Sequence, residues 1–174
     1  MSELRTNRII PRDGLPSGSA GGIIQVKNTT KTDPWAHPGG YTAYAQVTGL
    51  NVTITPTRAD SKILIFANLH GVGDSSTQAY FRFMRDSTAI CVATDVGSRV
   101  PATLGSMYED QTNDTNSCSQ HFLDSPSTTS AVTYKIQART QGSGSIYLNR
   151  SAGDQNNSTS GRFTSTLTVM EVSG

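Results

Sequence analysis

The residues able to act as ligands, nucleophiles or bases are few and scattered. His37, His70 and His121 stand on separate segments with no H-x-H or H-x-x-x-H pair, so no metal-ligand spacing is in place. Cys91 and Cys118 are 27 positions apart and neither belongs to a C-x-x-C pair, unlike a zinc knuckle or a redox pair. Two free thiols are the default for a chain made in a reducing compartment, and a bond between them stays open at this point. Asp74, Asp86, Asp95, Asp110, Asp114, Asp124 and Asp154 sit mostly beside Gly, Ser or Asn, where a short carboxylate caps its own turn. No two of them stand out as the acid and base of a glycosidase. A G-x-S-x-G elbow is missing, and so is a glycine-rich phosphate loop ending in Lys-Ser or Lys-Thr. The expectation is a chain with no catalytic residue, no metal and no cofactor, and hence no enzyme.

Two groups of residues suit binding better than chemistry. Trp35, with Pro34, His37, Tyr41 and Tyr44, can form an aromatic platform for a sugar or another subunit, and Tyr108 occupies a long polar loop that can join it. Packing of Trp35 at a sheet edge is an equal alternative. Near the N-terminus, Leu4, Ile9 and Ile10 offer apolar contacts while Arg5, Arg8 and Arg12 offer bidentate donors for acidic groups on a partner. A solvated tail seldom carries this many Ile and Leu, so an arm that orders against another protein is preferred to a frayed terminus.

Composition limits what positions these groups. Serine and threonine make 44 of the 174 residues, with 16 glycines and only 16% charged residues, a balance that favours strands and turns over helices. The net charge of +1 and the lack of any run of Lys or Arg argue against nucleic acid as a partner. No apolar stretch approaches a membrane span, and the N-terminus lacks the apolar core of a signal peptide, so no membrane insertion is expected. The N-x-[ST] triplets at Asn28, Asn51 and Asn149 follow from the Ser/Thr content.

Along the chain, residues 1–22 show no sustained period, and Pro11, Pro16 and several glycines keep them from a helix; they read as an extended arm. Fully stretched, such an arm reaches roughly 70–80 Å at 3.3–3.6 Å per residue. Residues 23–174 then read as one domain of short strands separated by turns at spacings near ten. The expected strands are 23–30, 50–55 closed by Pro56, 62–70, 80–85, 88–93, 119–123, 132–139, 145–148 and 162–172. Asp86-Ser87 marks a hairpin, and Ile63-Leu64-Ile65-Phe66-Ala67, apolar on both faces, marks a central strand or one that faces a neighbouring subunit. Residues 97–116 form a long, turn-rich loop of the kind that binds or packs on a neighbour, and 153–161 an exposed polar loop. The fold class expected is all-β, an antiparallel, jelly-roll-like β-sandwich with an N-terminal arm.

Several blocks, taken in order, resemble a known family. They are Leu4-Arg5-Thr6-Asn7-Arg8-Ile9-Ile10-Pro11, Ile23-Ile24-Gln25-Val26-Lys27, Thr30-Lys31-Thr32-Asp33, Val52-Thr53-Ile54-Thr55-Pro56, Ser61-Lys62-Ile63-Leu64-Ile65, Phe83-Met84-Arg85-Asp86-Ser87-Thr88, Phe122-Leu123-Asp124-Ser125-Pro126 and Thr168-Val169-Met170-Glu171-Val172. Together they span nearly the whole chain and are similar to virion proteins of tailed bacteriophages, especially those of cyanobacteria. That family includes capsid cement proteins and the distal heads of tail fibres and tailspikes. The resemblance implies a homotrimeric β-sandwich made in the host bacterial cytoplasm and carried on the outer capsid surface. It implies as partners other copies of the chain and the major capsid protein, brings no catalytic motif and names no ligand. A decoration role is expected first, since an arm and one domain leave no residues for a fibre shaft. The alternative is the receptor-binding distal module of a tail fibre or tailspike, touching a host-surface glycan; a carbohydrate-active enzyme ranks third.

Overall fold

The computed structural model describes residues 22–37, 43–74, 77–105, 113–141 and 144–174. These form eleven strands and no helix: β1 Ile23–Lys31, β2 Trp35–Ala36, β3 Ala45–Ile54, β4 Lys62–Asp74, β5 Ala79–Arg85, β6 Thr88–Ile90, β7 Leu104–Gly105, β8 Asn116–Asp124, β9 Val132–Thr140, β10 Ile146–Leu148 and β11 Ser165–Val172. All pairings are antiparallel. One sheet runs β1-β11-β4-β10-β2 with β8 also paired to β4; the other runs β3-β9-β5-β6 with β7 also paired to β5. No helix crosses a membrane among the described residues.

Strict alternation builds the core. Val132, Tyr134, Ile136 and Ala138 of β9, Phe81 and Phe83 of β5, Ile63, Ile65, Ala67 and Leu69 of β4, and Leu167 and Val169 of β11 all point inward and join one buried cluster drawn from both sheets. The protein is therefore all-β, two antiparallel sheets closed over a shared core, an arrangement consistent with a β-sandwich.

Several boundaries differ from the sequence expectation: β4 runs on to Asp74, β6 stops at Ile90, β8 widens to Asn116–Asp124, and β2 and β7 arise outside the expected strands. Two further shifts have a local reason. Strand β3 starts at Ala45 because the register slips between Gln46 and Asn51, with Gly49 at φ +82 taking up the extra residues; Val47 and Leu50 both end up buried, three positions apart, which a period of two does not reveal. The last strand starts at Ser165, and Arg162 makes only an isolated bridge to Arg150. The hairpin at Asp86-Ser87 is present, with Asp86 at φ 51 and its carboxylate accepting the Thr133 N–H at 2.9 Å.

Three polar clusters hold the sheet edges. Asp124 (β8) is buried and accepts from Arg85 Nη1 (β5) at 3.0 Å and from the Tyr134 hydroxyl (β9) at 2.7 Å, so it ties the two sheets together. Burial and the Asp124 carboxylate push the Tyr134 phenol's pKa well up, leaving it a donor at every ordinary pH. Glu171 is fully buried and accepts from Gln25 Nε2 at 2.6 Å and from the Thr57 N–H and hydroxyl at 2.7 Å each. Burial alone would raise its pKa, yet these hydrogen bonds prevail and hold it below the usual carboxylate value; the Ser61 hydroxyl lies near without a well-formed bond of its own. Asn149, also fully buried, donates to the carbonyls of Lys31 (2.9 Å) and Asp33 (3.0 Å) and accepts from the Ser165 hydroxyl (2.7 Å). That position explains the triplet at Asn149 structurally, since a buried amide holding three segments is no glycan acceptor.

Gly71 breaks β4 at φ +59, and a Cβ there would stand 2.2 Å from the Phe163 ring. Gly71→Ala should cost roughly 1–3 kcal/mol from the left-handed backbone alone, with the ring displacement in addition. Urea denaturation checks this, and an unchanged midpoint would contradict it.

Candidate functional site, the two outer sheet faces

The outward positions of the two sheets carry opposite chemistry. On the first sheet the register lines up Val26, Met170, Leu64 and Leu123 in one row across β1, β11, β4 and β8. The next row holds Asn28, Thr168, Phe66 and His121, and Val172 with Ile23 extends the apolar patch on the other side. Ile23 is 59% exposed, Val26 51%, Phe66 42% and Leu123 51%. At about 4.8 Å between strands, the four-residue row alone crosses roughly 14 Å. Phe66, His121, Asn68, Ser119 and Thr166 border an open depression on this face, with the Phe66 and His121 rings 6.0 Å apart. The one charged side chain at these outward positions is Lys62, which donates to the Ser125 hydroxyl at 2.9 Å at one end.

The second sheet presents the reverse. Outward positions are Gln46, Asn51 and Thr53 on β3, Thr133, Lys135, Gln137 and Arg139 on β9, and Tyr80, Arg82 and the covered Met84 on β5. Tyr44, just before β3, lies beneath the Arg82 guanidinium, 3.9 Å from the ring centroid, with Arg139 at 5.7 Å. Its hydroxyl donates to the Pro101 carbonyl at 2.7 Å. Burial raises the Tyr44 pKa against the pull of both arginines, so the ring stays neutral. Arg82 Nε and Nη2 donate to Gln137 Oε1 at 2.9 and 2.7 Å, which fixes the guanidinium over the ring. Lys135, Arg82 and Arg139 alternate diagonally across the β5–β9 pair, and no outward position of β3, β5 or β9 is acidic.

The expected aromatic platform is divided. Trp35 is half-buried, packs on the core from β2 in the first sheet and meets His37 edge-on at 5.9 Å. Tyr44 belongs to the second sheet with Arg82 on its face, and the two rings make no stacking contact among the described residues. Tyr41 and Tyr108 lie outside the described residues, as do Leu4, Arg5, Arg8, Ile9, Ile10 and Arg12 of the arm. Arg82, Lys135 and Arg139 were missed as site residues, although their signal was present: each alternates with an inward apolar neighbour.

His37 is buried, and neither ring nitrogen finds a well-formed partner among the described residues. Burial lowers its pKa, opposed slightly by the backbones of Ala43 and Ala138. The fold therefore favours the neutral ring. That stability is whole above the ordinary imidazole pKa and is lost as pH falls from there through the lowered folded value. Thermal melts between pH 7.5 and pH 5 should show this loss, and His37→Gln should abolish that part of the pH dependence; an unaltered dependence in the variant would assign it elsewhere.

Cys91 and Cys118 are free and half-buried. Burial raises both thiols, Cys118 to about 11, so neither carries the thiolate a nucleophile needs. Among the described residues no three His, Cys, Asp or Glu side chains converge as a metal site. Compared with models of known protein families and with curated proteins, the chain matches none.

Proposed function

We propose that this protein is a bacteriophage capsid decoration protein, a non-catalytic homotrimer that binds the outer shell and stabilises the particle. The observation that carries the reading is the apolar face of the β1-β11-β4-β8 sheet, charged only at Lys62 at one end. A row of Val26, Met170, Leu64 and Leu123 flanked by Phe66 brings half-exposed apolar side chains together on one face, and contiguous apolar patches mark association surfaces. A neutral face is complemented best by another neutral face, and a second and third copy supply one. The N-terminal residues Leu4, Arg5, Arg8, Ile9, Ile10 and Arg12 serve in this reading as the anchor to the major capsid protein. Three anchors acting together turn a modest affinity per arm into lasting attachment. The jelly-roll-like sandwich and the arm are parts of the same proposal, which draws also on the sequence blocks similar to tailed-phage virion proteins.

A partner that engages only the assembled shell stabilises it by mass action, by about 2.7 kcal/mol per site at a hundredfold excess over Kd. Particles with and without the protein are compared in a heating series, following genome release by dye fluorescence. Decorated particles should release at a higher temperature. Identical release temperatures, with poorer adsorption of undecorated particles to cells, would replace this reading with receptor binding.

A further inference from the structure

We infer that the outer face of the β3-β9-β5 sheet is a binding site for a carboxylated polysaccharide, with Arg82, Arg139 and Lys135 as the carboxylate contacts. This inference stands apart from the assembly reading, because it concerns the opposite face and is tested on the isolated protein.

The whole chain carries a formal +1, yet this one face holds three cations and no outward acid. Two guanidiniums converge on the single Tyr44 ring, at 3.9 and 5.7 Å, and no carboxylate among the described residues pairs with either. Two cations gathered on one ring repel each other unless an anion joins them. Arg82 is also held ready: Tyr44 supports its plane and Gln137 takes two of its donors, leaving the others without a hydrogen bond among the described residues.

Around the cations, Gln46, Asn51, Thr53, Thr133 and Gln137 are uncharged amides and hydroxyls, suited to a hydroxylated ligand. The one aliphatic side chain at an outward position there, Met84, is only 4% exposed, so the accessible apolar centre that a protein partner requires is missing. Three cations on one face are few for a nucleic acid, whose binding rests on neutralising a run of backbone phosphates. Sugars that alternate hydroxyls with carboxylates match both the charges and their surroundings.

The test uses the full-length protein and polygalacturonate oligomers as the probe, with binding followed by calorimetry at low and moderate salt. The methyl-esterified oligomer, which keeps the sugar and loses the charge, and a short duplex DNA are the comparisons. Binding of polygalacturonate, weakened by salt and absent from the ester, is the expected result. Lys135→Gln and Arg139→Gln should each weaken it by about tenfold, as for a lost charged hydrogen bond. Circular dichroism checks that the variants fold, and Thr48→Gln on the same strand layer should bind normally. No binding, equal binding of the ester, or tighter binding of the DNA at the same salt would each overturn the assignment.

Discussion

Asp124→Ala should lower stability by about 3–5 kcal/mol, the usual cost of removing one partner from a buried charged pair. The carboxylate is buried and is shared by Arg85 of the opposite sheet and by the fully buried Tyr134 hydroxyl. Alanine leaves the guanidinium without its anion and the phenol without an acceptor, and neither is placed to recover full hydration. In a domain of this size each kcal/mol moves the melting midpoint by roughly 2–4 °C, so a fall on the order of 10 °C is expected by calorimetry. Asp124→Asn, which keeps an acceptor for Tyr134, should lose less. A loss under about 1 kcal/mol for alanine would mean that the inter-sheet tie contributes no more than a surface ion pair.

The second large effect concerns assembly. Val26→Glu with Leu123→Glu should convert the proposed trimer to monomers while leaving the fold intact, because both positions are half exposed and point away from the core. Each carboxylate taken out of water costs several kcal/mol, so the association constant should fall on the order of a thousandfold or more. Light scattering should give three times the chain mass of 18.5 kDa for the natural sequence and one chain mass for the variant. Thr48→Glu, an exposed position of the second sheet, is the control and should remain trimeric. A monomeric natural chain, or a trimeric double variant, would place the interface elsewhere.

The parts of this fold that could be read in advance are those where one physical rule acts alone. Strands β1 and β9, the β5-β6 hairpin and the central β4 follow from alternation and turn residues, and Phe66 on the outer face of β4 was foreshadowed by a run apolar on both sides. The start of β3 was hidden because Gly49 resets the alternation between Val47 and Leu50. Asp124, Glu171 and Asn149 look like ordinary turn or strand polar residues, since their burial depends on partners 10 to 146 positions away. Grouping Trp35 with Tyr44 relied on nearness in sequence; pairing of β2 with β10 and of β3 with β9 sends them to different sheets. The outer faces became visible only when register placed Val26, Met170, Leu64 and Leu123 in one row and Arg82 between Lys135 and Arg139. A single sequence does not carry that cross-strand information.

The proposed decoration of a capsid by a trimer associated through its apolar sheet is tested most directly by a reconstruction of the phage particle at subunit resolution. The account predicts three-fold density on the outer shell, with the β1-β11-β4-β8 sheets of three copies turned toward one another and the β3-β9-β5 sheets turned to solvent. Density confined to the tail tip, or single copies on the shell with the Val26–Leu123 row facing water, would contradict it.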